Sequence, residues 1–298
     1  MMDKSRKVLI TTDCVCDLSE AVLRELEVKE VHYSILAGGY EYRSEREITS
    51  KNVLDYVASR NQFPRAEAPS KEEYAGFFNK HLKKGLPILH LATGSKLGRC
   101  CENAVEAAKH CDRVFVYDTE QFSGGLGILV LHAAKLAKEG KTLEEISIEI
   151  QKLQKQINTS FLVAESDSLY RAHRIKKWVN KMCDVFSLHL MFRIVYGEQK
   201  IAFLRVGKLE ECYKRYIKAV LKKANPQKDL LILSVSGCSY ENRKMILAEI
   251  SKYAEFEHIM VNTVSAAVAC NCGPQSIGLQ FLDSESEPLQ KNEVPKTP

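Results

Sequence analysis

Residues 88–107, ILHLATGSKLGRCCENAVEA, are the stretch that decides the fold. An apolar run typical of a buried strand comes first, then a polar turn between two glycines, then a run that favours a helix after Arg99. Open α/β sheets bind ligands at the carboxyl ends of their strands, and the free N–H groups at a helix start attract anions. Ser95 offers a hydroxyl and Lys96 a charge. The turn Gly94–Gly98 therefore predicts a site for a small anionic group, and the alternative is a surface turn without a ligand.

The composition of the chain excludes several classes of protein. The 298 residues are 45% hydrophobic and 27% charged with a net charge of +5, which is ordinary for a globular protein of one or two domains. The lysines are scattered, so nucleic acid is not expected as a partner. No apolar run reaches the length of a membrane span, and no apolar signal segment follows the start. We therefore expect a cytoplasmic protein without an integral membrane segment.

The order of predicted elements indicates an α/β fold in two parts. Strands alternate with helices up to about residue 157, which favours a mostly parallel, Rossmann-like sheet. The second half contains a predicted hairpin and further strands in an α+β arrangement with antiparallel pairing. We place a Rossmann-like α/β domain at residues 1–162 and an α+β domain at residues 163–298, with a ligand between them. The segment after Asp283 is rich in Ser, Glu, Pro and Lys and is expected to be frayed.

Several element boundaries follow from local patterns. We predict helices that begin at the capping residues Thr49 and Ser70, and a first helix that is capped by Asp17 or Ser19. The pattern also predicts one strand over 28–36, an irregular loop over 63–70, a helix over 143–157, a helix over 168–180 and a loop over 270–278.

The glycines at 124, 125 and 127 open another predicted helix. They let a helix pack closely on a strand or on a neighbouring helix. A dinucleotide site would need the Gly-x-Gly-x-x-Gly order, which is absent, so a nucleotide-binding regulator is disfavoured.

Several separated segments together resemble the DegV family of bacterial lipid-binding proteins, in order and spacing from about Val8 to Phe281. They are Ile10–Leu18, Pro64–Ser70, Gly94–Ala104, Asp118–Ala134, Ser168–Ile175 and Gly273–Gly278. The resemblance implies two domains with a long-chain fatty acid buried between them. It also implies a carrier that is not itself the catalyst, needs no cofactor or metal, and presents the fatty acid to a separate kinase subunit.

The same resemblance implies which residues hold the carboxylate. The family serine falls on Ser95, between Gly94 and Lys96, while Ala66 stands where the family has a threonine and Asn271 where it has a histidine. A carboxylate is still physically acceptable, because the Ser95 hydroxyl, the helix N–H groups and the Asn271 amide can donate hydrogen bonds. We therefore expect the headgroup at Ser95 and the acyl chain in an apolar tunnel.

A rival interpretation is an enzyme that uses the same crevice on a phosphorylated or carboxylated small molecule. It would require paired acid and base groups near Ser95. Asp13 together with Ser95 would resemble a serine hydrolase, but no Gly-x-Ser-x-Gly motif supports this, and Asp13 is expected to stabilise its own loop. Arg171 and Arg174 are expected to be ion-paired or solvated rather than ligand contacts.

Ten cysteines in a chain without a secretion signal do not indicate a disulfide framework. Three groups stand apart: Cys14/Cys16, Cys100/Cys101 and Cys270/Cys272. One hypothesis brings them together beside the pocket, where they would confer redox sensitivity or bind metal adventitiously. The other, which we favour, is that cysteine replaces small residues such as Ser.

Overall fold

A computed structural model describes residues 6–284, and for residues 203–205 it describes the backbone only. The tail predicted to be frayed lies outside the described residues from 285 onward. In chain order the strands are β1 (Leu9–Asp13), β2 (Lys29–Val31), β3 (Ser34–Ala37), β4 (Tyr40–Arg43), β5 (Arg65–Glu67), β6 (Ile88–Ala92), β7 (Val114–Asp118), β8 (Ile157–Val163), β9 (Leu188–Val195), β10 (Glu198–Val206), β11 (Pro226–Ser236), β12 (His258–Thr263) and β13 (Ser276–Asp283). The helices are α1 (Glu20–Glu25), α2 (Ser50–Arg60), α3 (Lys71–Leu82), α4 (Cys100–Ala108), α5 (Ser123–Lys138), α6 (Leu143–Gln154), α7 (Asp167–Arg171), α8 (Lys177–Phe186), α9 (Leu209–Leu221), α10 (Tyr240–Ile250) and α11 (Ala266–Cys272).

The first sheet is parallel throughout, in the order β2-β1-β6-β7. Strands β1 and β6 are buried along their whole length, as expected when helices cover both faces. One face packs on α3 and α4 through Tyr74 and Phe78, and the other faces α5. This sheet confirms the mostly parallel first half of the predicted fold.

The second sheet has six strands in the order β10-β9-β8-β13-β11-β12 and is antiparallel except for the β11–β12 pair. Helices α9 and α10 cover one face with a core that includes Tyr213 and Tyr216. The predicted α/β fold with an antiparallel second part is confirmed. The boundary placed after residue 162 falls within β8, a strand of this second sheet, and the division into two domains stays a prediction.

A third, small sheet has the order β4-β3-β5 and corrects two sequence interpretations. The predicted strand over 28–36 is two strands, β2 and β3, which belong to different sheets. The predicted loop over 63–70 contains β5, which pairs Ala66 with Ile35. The short Arg-Ala-Glu run has no strand pattern of its own, so only its pairing with β3 makes it a strand.

Helix α5 lies between the two large sheets, and its first half is buried on all sides. A Cβ on Gly124 would collide with Gln280 and Ile232, and one on Gly127 would lie 2.8 Å from the backbone oxygen of Cys16. The glycines therefore allow close packing, as the sequence indicated.

Helix ends agree with the predicted caps in the first half and differ in the second. The side chains of Ser19, Thr49 and Ser70 each accept a hydrogen bond from a backbone N–H of their helix. The helix predicted over 143–157 ends at Gln154, and Ile157 begins β8. The helix predicted over 168–180 is two helices, α7 and α8, and the start of the predicted loop over 270–278 is the end of α11.

Candidate functional site

The turn after β6 is built around Thr93 and Gly94, both buried. The backbone N–H and the hydroxyl of Thr93 both donate to Asp13 Oδ2, at 2.8 and 2.7 Å. Gly94 lies against the backbone of Glu120, where a Cβ would come within 2.9 Å. These contacts fix the turn to the end of β1 on one side and to the segment after β7 on the other.

Ser95 and Lys96 lie on the outer side of this turn and are exposed. The backbone N–H of Ser95 donates to Asp118 Oδ1 at 3.1 Å. Lys96 Nζ donates to the carbonyl of Tyr196 at 3.0 Å and lies 3.5 Å from Glu198 Oε1. The turn therefore directs both side chains toward solvent and the β9–β10 hairpin.

A cavity of about 230 Å³ opens beside the turn, between the two large sheets. Its apolar wall comes from both sheets and from α11, and Phe122 and Phe161 stack at 4.8 Å between ring centres. The apolar lining residues include Val15, Leu97, Phe122, Phe161, Val163, Leu169, Phe192, Val264, Ala267, Val268 and Ile277. Such a wall suits a hydrocarbon ligand.

Two of the predicted site residues, Ala66 and Asn271, line this cavity, and three, Gly94, Ser95 and Lys96, are not among its lining residues. Asn271 Nδ2 donates to the carbonyl of Ala267 at 2.9 Å. One amide N–H of Asn271 is thereby used within α11 and the second remains for another acceptor.

Arg174 joins the two sides of the cavity, a role that the sequence did not reveal. Its Nε donates to Asn271 Oδ1 at 3.3 Å and its Nη1 donates to the carbonyl of Leu97 at 3.0 Å. A guanidinium carries five N–H donors, so three remain for a ligand. Arg174 is exposed, as expected for a solvated arginine, and no carboxylate within residues 6–284 lies within 4.0 Å of it.

Further positive charge surrounds the cavity. Arg171 lies over the ring of Phe63, 5.4 Å from its centre, and Arg65 also lines the cavity, with its guanidinium 3.6 Å from Glu67 Oε1. None of the described lining residues is Asp or Glu. This electrostatic environment favours an anionic group, and it lacks the paired acid and base that an enzyme acting here would need.

Asp13 lies behind Thr93 in a buried polar network. It accepts from the Tyr74 hydroxyl at 2.5 Å, and His90 Nε2 lies 3.4 Å from Oδ1. Burial raises the pKa of Asp13, but the hydrogen bonds from His90, Tyr74 and Thr93 outweigh it and hold the pKa below its usual value. Asp13 therefore links β1 to the turn after β6, rather than stabilising its own loop, and it is not paired with Ser95.

A second buried carboxylate, Asp17, connects three parts of the chain. It accepts from the Ser123 hydroxyl at 2.5 Å and from the backbone N–H of Ser265 at 2.7 Å. Burial raises the pKa of Asp17 to about 7, against the lowering effect of these bonds. Asp17 thus ties the loop after β1 to the starts of α5 and α11.

The first two cysteine groups contact Tyr33, a residue of the cavity wall, and the third group lies in the wall itself. Tyr33 brings the first two groups together, because its N–H lies 3.5 Å from Cys14 Sγ and its hydroxyl 3.0 Å from Cys100 Sγ. Cys270 and Cys272 line the cavity itself. Burial raises the pKa of both to about 12, and a thiol of such pKa is unreactive near neutral pH.

The part of the chain that the structure describes shows no group of three or more His, Cys, Asp or Glu side chains arranged to hold a metal ion. No helix within residues 6–284 is long and apolar enough to cross a membrane.

Comparison with known proteins gives the same family along nearly the whole chain. Residues 7–284 match a family described as "Uncharacterised protein, DegV family". A DegV domain-containing protein of Clostridium acetobutylicum is 24% identical over 286 residues, covering 93% of this chain and 99% of that protein.

Solved structures resemble the fold closely. One of them is a DegV family protein from Thermus thermophilus, whose structure was solved to describe its fatty acid binding. It superposes with a TM-score of 0.82 at 26% identity, and the match covers 93% of this chain and 99% of that one. A stearic acid-binding protein from Eubacterium ventriosum has a TM-score of 0.79 at 19% identity, with 92% and 97% covered, and shows the fold alone.

Proposed function

Because this chain belongs to the DegV family, we propose that it binds a long-chain fatty acid, with the acyl chain in the cavity between the two large sheets. One observation carries the proposal: an apolar cavity is bordered by arginines and has no carboxylate among its described lining residues. Each buried CH₂ contributes about 0.8 kcal/mol, so an acyl chain offers enough free energy for tight binding without a reaction.

We place the carboxylate between Arg174 and Asn271, at the mouth of the cavity. Arg174 has three N–H donors that bond no described group, and Asn271 has one. The Thr93 hydroxyl lines the same region, but its proton is donated to Asp13. It can therefore accept a hydrogen bond but cannot donate one to a carboxylate.

Ser95 remains in the proposal as the family's carboxylate contact, with Gly94 and Lys96 as its neighbours in the turn. Its side chain is exposed on the outer side of the turn, so contact with the ligand requires the turn to move. A Ser95→Ala variant that keeps full affinity for fatty acid would remove Ser95, and the turn with it, from the headgroup site.

The experiment is a calorimetric titration of palmitate into delipidated protein. We expect saturation at one fatty acid per chain and binding of hexadecanol that is about tenfold weaker or more, because hexadecanol has the same chain but no carboxylate to neutralise the arginines. Equal affinity for the acid and the alcohol would show that the basic border plays no part.

Presentation of the bound acid to a separate kinase subunit, in the cytoplasm, is a further step of the proposal. Phosphorylation of the carboxylate by such a kinase only when this protein carries the acid would support it. An enzyme acting in the cavity is less well supported, because the buried Asp13–His90 pair is enclosed behind Thr93 and its two residues do not line the cavity.

A further inference from the structure

A second cavity, of about 570 Å³, lies between α6, the end of β7, the start of β8 and the β9–β10 hairpin. It shares no lining residue with the first cavity. Its volume is within the range of small-molecule sites in proteins. Its walls are rich in amides and hydroxyls, which would not suit an acyl chain.

Arg193 is one of four charged side chains that line this cavity, together with Glu120, Lys155 and Asp283. It is half-buried on β9, and burial lowers the pKa of its guanidinium while Asp283 acts in the opposite direction. Within residues 6–284 no carboxylate lies within 4.0 Å of this guanidinium, and no side-chain hydrogen bond satisfies it. A guanidinium stays protonated at every physiological pH, and a partly buried charge is costly unless an anion pairs with it.

Asp283 also lines the cavity, and its negative charge acts on Arg193 through space, but its carboxylate is not within 4.0 Å of the guanidinium. Its Oδ1 accepts from the backbone N–H of Asn225 at 3.0 Å, and its Oδ2 accepts from Asn158 Nδ2 at 3.3 Å. The donors of the Arg193 guanidinium therefore have no acceptor among the side chains of residues 6–284, and an anionic ligand can supply one.

Asn158 provides a second, independent indication of a ligand. Its side chain is 7% exposed and lines the cavity, yet its Oδ1 has no hydrogen-bond donor in the described part of the chain. A buried amide oxygen requires a donor, such as a ligand hydroxyl. The walls thus offer donors for an anion at Arg193 and an acceptor for a hydroxyl at Asn158.

Glu120 limits the charge of the ligand. It lines the same cavity, and no described residue forms an ion pair with its carboxylate. A molecule with several anionic groups would be repelled by it. We propose that this second cavity binds a small polar molecule that carries one anionic group, a carboxylate or a phosphate monoester, and at least one hydroxyl.

This proposal does not depend on fatty acid binding, and it is tested on the full chain with three probes. Lactate carries a carboxylate and a hydroxyl, glycerol 3-phosphate carries a phosphate and hydroxyls, and glycerol carries hydroxyls alone. In calorimetric titrations we expect one or both anions to bind saturably at one per chain, and glycerol not to bind. The anion that binds shows whether the ligand of this cavity carries a carboxylate or a phosphate.

Arg193→Gln should weaken binding of the anion at least tenfold, and Arg193→Lys should weaken it less, because it keeps the charge but loses the planar donors. Arg215→Gln, a change of the same kind on α9, should leave it unaltered. Failure of both anions to saturate, or unchanged affinity in Arg193→Gln, would overturn the proposal. The comparison of anions with glycerol needs no variant, so a failure of Arg193→Gln to fold would not prevent the test.

Discussion

Arg174 connects residues that are far apart in the sequence, since Leu97 precedes it by 77 positions and Asn271 follows it by 97. Replacing it with Gln removes the charge and most of the donors proposed for the carboxylate. Hydrogen bonds to charged groups contribute about 1.5–3 kcal/mol. We expect Arg174→Gln to raise the Kd for palmitate about tenfold or more in a calorimetric titration.

The matched control is Arg113→Gln, because Arg113 is also exposed and also donates to a backbone carbonyl, that of Gly85. It is not among the residues lining the cavity, and its replacement should leave palmitate affinity unchanged. An Arg174→Gln protein with wild-type affinity would move the headgroup site away from this arginine.

Ala66 permits a gain-of-affinity test. It lines the cavity on β5, where the family resemblance places a threonine. Adding a hydroxyl there with Ala66→Thr should tighten palmitate binding by a factor of about 5 to 10, the equivalent of one ordinary hydrogen bond. Ala66→Val adds similar volume without a donor, and equal tightening by both variants would contradict a carboxylate near this strand.

Sequence reasoning located part of this site and missed the rest for a physical reason. Ala66 and Asn271 follow from the resemblance, and both line the cavity. Thr93 was not singled out, because the motif directs attention two residues further, to Ser95. Arg174 was assigned to solvent, because exposed arginines are common and its partners belong to segments that only the fold brings close.

A substitution in helix α5 tests how closely this helix packs between the two large sheets. In Gly127→Ala the new Cβ would lie 2.8 Å from the backbone oxygen of Cys16, which cannot rotate away. We expect a loss of about 1–3 kcal/mol in the free energy of unfolding, measured by urea titration.

Gly76 provides the control for this substitution, because it is also helical, and a Cβ there meets nothing within 4 Å. Gly76→Ala should therefore be neutral or stabilising by up to about 1 kcal/mol. Similar losses in the two variants would show that the contact with Cys16 is not what requires glycine.

Asp17, which accepts a hydrogen bond from Ser123 at the start of α5, should make the free energy of unfolding depend on pH. Its pKa is about 7 in the folded chain and 3.8 for an ordinary aspartate. Because the folded chain favours the protonated carboxyl, Asp17 makes its full contribution to the free energy of unfolding below pH 3.8. This contribution is lost as the pH rises to about 7. Asp17→Asn keeps the size and shape of the side chain but does not titrate, and its amide replaces one acceptor oxygen by a donor.

We therefore expect the stability of Asp17→Asn relative to wild type to rise by up to about 4 kcal/mol between pH 4 and pH 8. Urea titrations of both proteins across this range measure the difference. A difference that does not change with pH would mean that Asp17 does not titrate in this interval.

At the level of elements, the sequence predicted those whose signals are local. The caps at Thr49 and Ser70 and the buried run of β6 are examples, and all three are confirmed. Strand β5 could not be predicted, because three residues acquire strand structure only by pairing with β3. The end of α11 was taken as a loop, because the Gly273-Pro274 pair dominated the pattern, although Ser265 caps this helix.

The described part of the molecule holds two cavities of different character that share no lining residue. The first is apolar with a basic border, and the second is polar and contains an unpaired arginine. Helix α5 and the Asp17 network hold the two large sheets in contact, so the first cavity exists only in the assembled fold. A fatty acid that binds there should stabilise the folded chain as a whole.

The central claim is that this chain carries a fatty acid, and native mass spectrometry of the protein as purified from cells tests it most directly. We expect a mass increment of one long-chain fatty acid per chain, recovered as the free acid on extraction, and a smaller occupied fraction in Arg174→Gln. A protein that carries no lipid when purified, and takes up none from added palmitate, would contradict the account.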